Sequence, residues 1–195
     1  MFPYSYKALA SEHYSELHLE FTPIQPSEIE CIRVWRNSQL GILRQNSEIT
    51  PKEQKQYFHK EVFSECSKSN PQQILLSIRD SGRLVGYTAL VHIDWSNQRA
   101  ELSFLLDPQI EEGTARFLMI FGASVRLLKR LAFSELGLNR LTTETFAGRH
   151  TVVEALESHG FVEEGKLREH VLIEGLFEDS QIHGCLAKEQ RSSIA

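Results

Sequence analysis

The chain has 195 residues, 41% of them apolar and 24% charged, which fits one packed domain and excludes a disordered chain. Its 21 Lys and Arg against 26 Asp and Glu leave a net charge of −5, so nucleic acid is not an expected partner. The most apolar run, Phe117 to Val125, lies between Arg116 and Arg126 and falls far short of the roughly 18 residues of a spanning helix, so no membrane is expected either.

Three cysteines at wide spacing, Cys31, Cys66 and Cys185, form no CxxC pair and no disulfide framework, the usage expected of the cytoplasm. The first residues carry neither a basic stretch nor an uninterrupted apolar one, so a signal peptide is not expected. We expect a decorating segment over residues 1–20, one domain over 21–188 and a tail over 189–195.

In chain order, Tyr4, Tyr6, Tyr14, Leu17 and Leu19 make the first segment too apolar for a discarded tail. Pro26 and Ser27 can open a helix whose apolar side is Ile29, Ile32, Val34 and Trp35, ending near Asn37. Thr50-Pro51-Lys52-Glu53 reads as a capping box with proline at the first helical position. Phe58 and Val62, flanked by Tyr57 and Phe63, then form its buried stripe. Ser64 to Gln73 has loop composition.

The period then changes to two. Ile74 to Arg79 and Leu84 to Val91 are predicted to form a hairpin around Asp80-Ser81-Gly82, with His92 to Trp95 closing the second strand. A third strand runs from Ala100 to Leu106 and stops at Asp107-Pro108. Phe117, Phe121, Val125, Leu128, Leu131 and Ala132 repeat at helical spacing up to Gly137. Leu141 to Phe146 reads as a strand, Thr151 to Ser158 as a short helix, and Leu167 to Ile173 and Gln181 to Leu186 as strands around Glu174-Gly175. The order describes a mixed α/β domain.

Generic catalytic motifs are absent: there is no GxGxxG after a strand, no GxxxxGK[ST], no HExxH and no GxSxG. The eight histidines show no metal-ligand spacing, so no metal is expected. Of them His150 stands out, between a strand and a short helix where a side chain can reach a cleft. Gly113-Thr114-Ala115 opens the long helix with small residues, which suits either an anion at a helix start or an ordinary cap. Glu111 and Glu112 beside it weigh toward the cap.

Leu84-Val85-Gly86-Tyr87, Ala100-Glu101-Leu102-Ser103-Phe104, Leu136-Gly137-Leu138-Asn139-Arg140-Leu141 with Glu144, and Gly160 to Arg168, in this order and spacing, resemble the GNAT superfamily of acetyl-coenzyme A-dependent N-acetyltransferases. The likeness runs from Trp35 to Leu186 and points to the branch of ribosomal-protein N-terminal acetyltransferases and amino-sugar acetyltransferases. It implies a splayed, mostly antiparallel mixed sheet flanked by helices, with acetyl-CoA entering the splay. The pantetheine amides would pair with the backbone of Phe104, Leu105 and Leu106, and the pyrophosphate would sit at Gly113, Thr114 and Ala115. The sequence departs from the family pattern at Ile110, where Gln or Arg is usual. It departs again at Arg149, where asparagine is usual, and at Leu156, where a tyrosine often serves as acid. Arg116 or Arg149 would then meet the phosphates, unless each is a plain surface arginine.

Acetyl transfer to an amine needs a proton acceptor and donors for the oxyanion. Glu101 faces away from Ala100, Leu102 and Phe104 and is the first choice for base, directly or through water, with Glu144 and His150 as rivals. A backbone N–H near Leu105 or Leu106 would serve the oxyanion. Trp35 and Arg36 lie where the resemblance places a wall of the acceptor site, and Asp94 and Trp95 end a strand in a loop that can meet an acceptor, although packing accounts equally for both tryptophans. The expected acceptor is a small-molecule primary amine, foremost a nucleotide-linked amino sugar. A protein N-terminus, as in ribosomal-protein acetylation, and a non-catalytic acyl-CoA-binding module are the alternatives.

Overall fold

Alternating side chains and tight turns build most of one sheet. The computed structural model describes residues 4–43, 45, 47–173 and 175–190. Met1 to Pro3 of the expected first segment, Glu174 of the expected last turn and residues 191–195 of the expected tail lie outside the described residues. Strands β3 (Ile74–Asp80) and β4 (Arg83–Asp94) form the predicted hairpin across Ser81-Gly82, and β5 (Arg99–Leu106) runs antiparallel to β4. β6 (Arg140–Phe146), β7 (Val162–Ile173) and β8 (Leu176–Leu186) complete the far side. With β1 (Tyr14–Glu16) and β2 (Leu19–Pro23) the order is β1-β2-β3-β4-β5-β6-β8-β7. Within that order β5 and β6 are parallel and every other pairing is antiparallel.

The first segment is more than decoration. β2 pairs with β3 from Leu19↔Asp80 to Pro23↔Leu76, and Leu19 and Phe21 are fully buried. The expected division between residues 20 and 21 therefore runs through a sheet strand. β7 and β8 are each five residues longer at their starts than predicted, beginning at Val162 and Leu176 in place of Leu167 and Gln181. β7 is the edge strand and keeps most side chains in water, so no apolar alternation marks its first half.

Both faces of the sheet are covered. On one, α3 (Ala115–Arg130) and α4 (His150–Ser158) pack Phe117, Ile120, Leu128 and Leu156 on Leu102, Leu106, Leu141 and Cys185. On the other, α1 (Ile29–Asn37), α2 (Pro51–Tyr57) and the turn that continues α2 pack Ile32, Trp35 and Phe58 on Leu75, Tyr87, Ala89 and Leu105. Full burial of each such large apolar side chain contributes about 1.5–3 kcal/mol. Val34 departs from the predicted stripe of α1 and is 51% exposed. Tyr57, expected to flank the buried stripe, is also solvent-facing.

The capping box forms as read: Thr50 Oγ1 accepts from the Glu53 N–H at 3.3 Å and the Glu53 carboxylate accepts from the Thr50 N–H at 2.9 Å. α2 and α3 each run on into a π turn, Phe58–Val62 and Leu131–Glu135. The short terminal helix α5 (Ala187–Gln190) follows β8. Among the described residues no helix is long and apolar enough to cross a membrane.

Candidate active site

The parallel pairing that joins the two halves of the sheet is short. β5 and β6 are paired only from Arg99↔Arg140 to Glu101↔Thr142. Beyond that, β5 follows β4 as far as Gly86↔Leu106 while β6 follows β8 as far as Phe146↔Ser180. The strands part, and the edge of Leu102 to Leu106 that faces β6 has no strand partner among the described residues. Gly86 lets β5 come in close on the other side, because a Cβ there would collide with the Leu105 carbonyl and the Leu106 side chain.

A cavity of about 260 Å³ fills the opening, with Leu102, Phe104, Phe121, Thr143, Arg149 and Leu156 in its walls. A further cavity of about 210 Å³ continues past Phe104, Leu105 and Leu106 to Ile110 and Glu112 at the start of α3. Thr143 Oγ1 is buried in the splay without a hydrogen-bond partner among the described residues. Such an orphan costs about 1–3 kcal/mol unless something polar meets it. The Leu106 carbonyl is not free: Gln39 Nε2 donates to it at 3.0 Å.

At the end of the splay Gly113 turns the chain with φ +86°, a conformation favouring glycine, and Thr114 caps α3 by accepting from the Phe117 N–H at 3.2 Å. The next two amides, of Ala115 and Arg116, are left at the positive end of a 16-residue helix. Both arginines expected near a phosphate hold carboxylates. Arg116 donates to Asp80 at 2.8 Å, and Arg149 donates through Nε and Nη2 to one oxygen of Glu112 at 2.9 and 2.6 Å. The Arg116 contact, the largest influence on Asp80, holds that carboxyl below its usual range. Only Arg149 lines the splay.

On the opposite face of β5, under α1 and α2, lies a much larger cavity of about 1070 Å³. Glu53, Glu61, Glu65 and Asp94 contribute carboxylates to it, and Arg36 and Arg99 are its guanidinium groups. Glu65 is held by Lys68 at 2.6 Å, and Asp94 by Asn97 at 2.7 Å and Arg99 at 3.4 Å. Arg36 donates to the Tyr87 hydroxyl at 3.2 Å. Glu61 meets no cation among the described residues.

Glu101 is brought to the splay with Glu144, one from each diverging strand. Each carboxylate has a histidine beside it: His92 Nδ1 is 2.9 Å from Glu101 Oε2, and His170 Nε2 is 3.4 Å from Glu144 Oε1. Neither histidine was distinguishable in the sequence. His92 sits where the β4–β5 register shifts, and His170 where the β7–β8 register shifts; these irregularities swing the side chains, and no residue pattern announces them.

Three expected site residues fall elsewhere. Trp35 is buried in the core beneath α1 because packing against the sheet outweighs any role at a rim. Trp95 packs on the other core and its Nε1 donates to the Pro71 carbonyl at 2.8 Å. His150, the first residue of α4, is exposed and lines none of these cavities, because α4 begins one residue earlier than predicted and turns it outward.

A sheet split between a parallel pair, with a helix start at the mouth of the split, defines an acyl-CoA-type transferase fold. The family model described as acetyltransferase (GNAT) domain matches residues 23–182, and the chain belongs to that family, whose domain uses acetyl-CoA. A Bacillus subtilis (strain 168) protein named "Putative ribosomal N-acetyltransferase YdaF" is 32% identical over 108 residues, 55% of this chain and 56% of that protein. The chain thus matches a little over half the length of that curated relative. The Vibrio cholerae spermidine N-acetyltransferase solved with CoA and spermine aligns with a TM-score of 0.75 at 19% identity, over 88% of this chain and 97% of that one. Its dodecameric form in an intermediate state aligns at 0.74 and 19%, over 91% and 99%. At these identities the structural likeness establishes the fold.

Proposed function

We propose that the protein is an acetyl-CoA-dependent N-acetyltransferase acting by direct transfer to a small primary amine. The observation that carries this is the splay itself: an unpaired strand edge, an orphaned Thr143 hydroxyl and a helix start lie in one continuous path, with a cavity roomy enough for an amine on the other face of β5. Acetyl-CoA, when bound, supplies the electrophilic thioester. The Phe104 backbone and the Leu106 N–H, which the pleat turns away from β4, would pair with amides along the free edge as a strand would. The amides of Ala115 and Arg116 meet a diphosphate at Gly113, with Arg149 released from Glu112 to join them. A backbone N–H near Leu105 faces the developing oxyanion. Leu156 offers no proton, and a thiol with an ordinary pKa near about 8.5 leaves as thiolate without one.

The acceptor cavity carries four carboxylates against two guanidinium groups, which favours a cationic amine over the dianionic diphosphate of a nucleotide-linked sugar. A polyamine fits this charge, and polyamines are named for the Vibrio cholerae structural neighbours. A protein N-terminus is the second reading, favoured by the ribosomal name of the Bacillus subtilis relative. Thiol release from acetyl-CoA, measured across polyamines, peptides with free N-termini, aminoglycosides and nucleotide-linked amino sugars with product masses, tests the proposal. Turnover highest with polyamines supports it, turnover confined to peptides or nucleotide sugars replaces the acceptor, and no release with any amine overturns the reading.

A further inference from the structure

The acceptor cavity and the splay share a wall. Val91, His92 and Ser103 line both, so an amine held in one meets a thioester held in the other beside these three residues. Of the three, His92 alone carries a ring nitrogen that can accept a proton. Its position is built by the bulge: the β4–β5 pairing breaks between Val91 and Asp94, and His92 takes φ +50°, which turns its imidazole away from the regular pleat. The imidazole is 80% exposed and the Glu101 side chain beside it 36% exposed.

The contact also sets the proton. A carboxylate can only accept, so in the neutral ring the 2.9 Å approach of Nδ1 to Glu101 Oε2 places hydrogen on Nδ1 and leaves the lone pair on Nε2. We propose that His92 Nε2 takes the proton of the attacking amine and that Glu101 is the positioning residue that fixes its tautomer, an inference that rests on the acetyl-transfer reading above. As the nitrogen of an amine in its neutral form bonds to the acyl carbon, the C–S bond breaks with its electron pair staying on sulfur, and one proton of the amine passes to His92 Nε2. His92 then returns the proton to solvent, and the thiolate takes its own proton from water.

The test joins kinetics to a readout that needs no turnover. Asparagine tolerates a positive φ, so His92→Asn keeps the backbone and removes the base. Its kcat is expected to fall by about a hundredfold, with the dissociation constant for acetyl-CoA unchanged in calorimetry. Glu101→Gln is expected to fall less, and the double variant no further than His92→Asn alone, because the two act as a unit. Nitrogen-15 NMR of the unliganded protein is expected to show His92 in the Nδ1–H form, reverting toward Nε2–H in Glu101→Ala. A His92→Asn variant keeping more than about half of the wild-type kcat, or an Nε2–H form in the wild type, overturns the assignment while leaving acetyl transfer standing. Absence of thiol release by the wild type itself overturns both.

Discussion

Replacing Glu112 with glutamine separates the two jobs of Arg149. In the unliganded protein both donors of the guanidinium converge on one Glu112 oxygen, at 2.9 and 2.6 Å, with the two side chains 26% and 33% exposed. A pair so placed lies near the upper end for exposed ion pairs, about 1 kcal/mol. If Arg149 must leave Glu112 to meet the diphosphate, that energy is subtracted from the binding free energy. Glu112→Gln should therefore tighten the dissociation constant for acetyl-CoA by about fivefold, and Arg149→Gln should weaken it. Isothermal titration at low and high salt measures both, and the gain should shrink as salt screens the pair. An unchanged or weaker constant in Glu112→Gln would refute the exchange and place the phosphates away from Arg149.

Gly86→Val should break the β4–β5 register beside the splay, since a Cβ there meets the Leu105 carbonyl; a large drop in Tm checks it. Asp80 is held low by Arg116, so the stability this carboxylate contributes is present above its unfolded pKa and is lost as pH falls through its lower folded value. The Tm advantage of wild type over Asp80→Asn should accordingly vanish in acid, as calorimetry between about pH 7 and pH 2 would show. Iodoacetamide should label exposed Cys31 first, while Cys185 stays buried and Cys66, pushed up to about 11 by burial, reacts only on unfolding; peptide mass spectrometry reads the order.

Elements with strong local grammar were legible in the sequence. Thr50 to Glu53 reads as a helix start because its capping groups are three residues apart, and Ile74 to Val91 reads as a hairpin because one short turn joins two alternating runs. The placement of Glu101 away from the α3 face followed from the same period of two. β1 and β2 were not legible, since Leu19 and Phe21 gain their burial from β3, far along the chain. The same limit hid the two histidines beside Glu101 and Glu144, whose reach depends on register shifts. Trp35 and Trp95 stayed open for a related reason: an aromatic residue near a strand end or a helix end serves a core and a rim equally well until the packing is known.

Hydrogen exchange with and without acetyl-CoA reports where the cofactor lies on the sheet without depending on the acceptor. New protection is expected at the free edge of Leu102 to Leu106 and at Ala115 and Arg116, with none at β1 and β2. Binding that protects other segments and leaves both of these unchanged would contradict it.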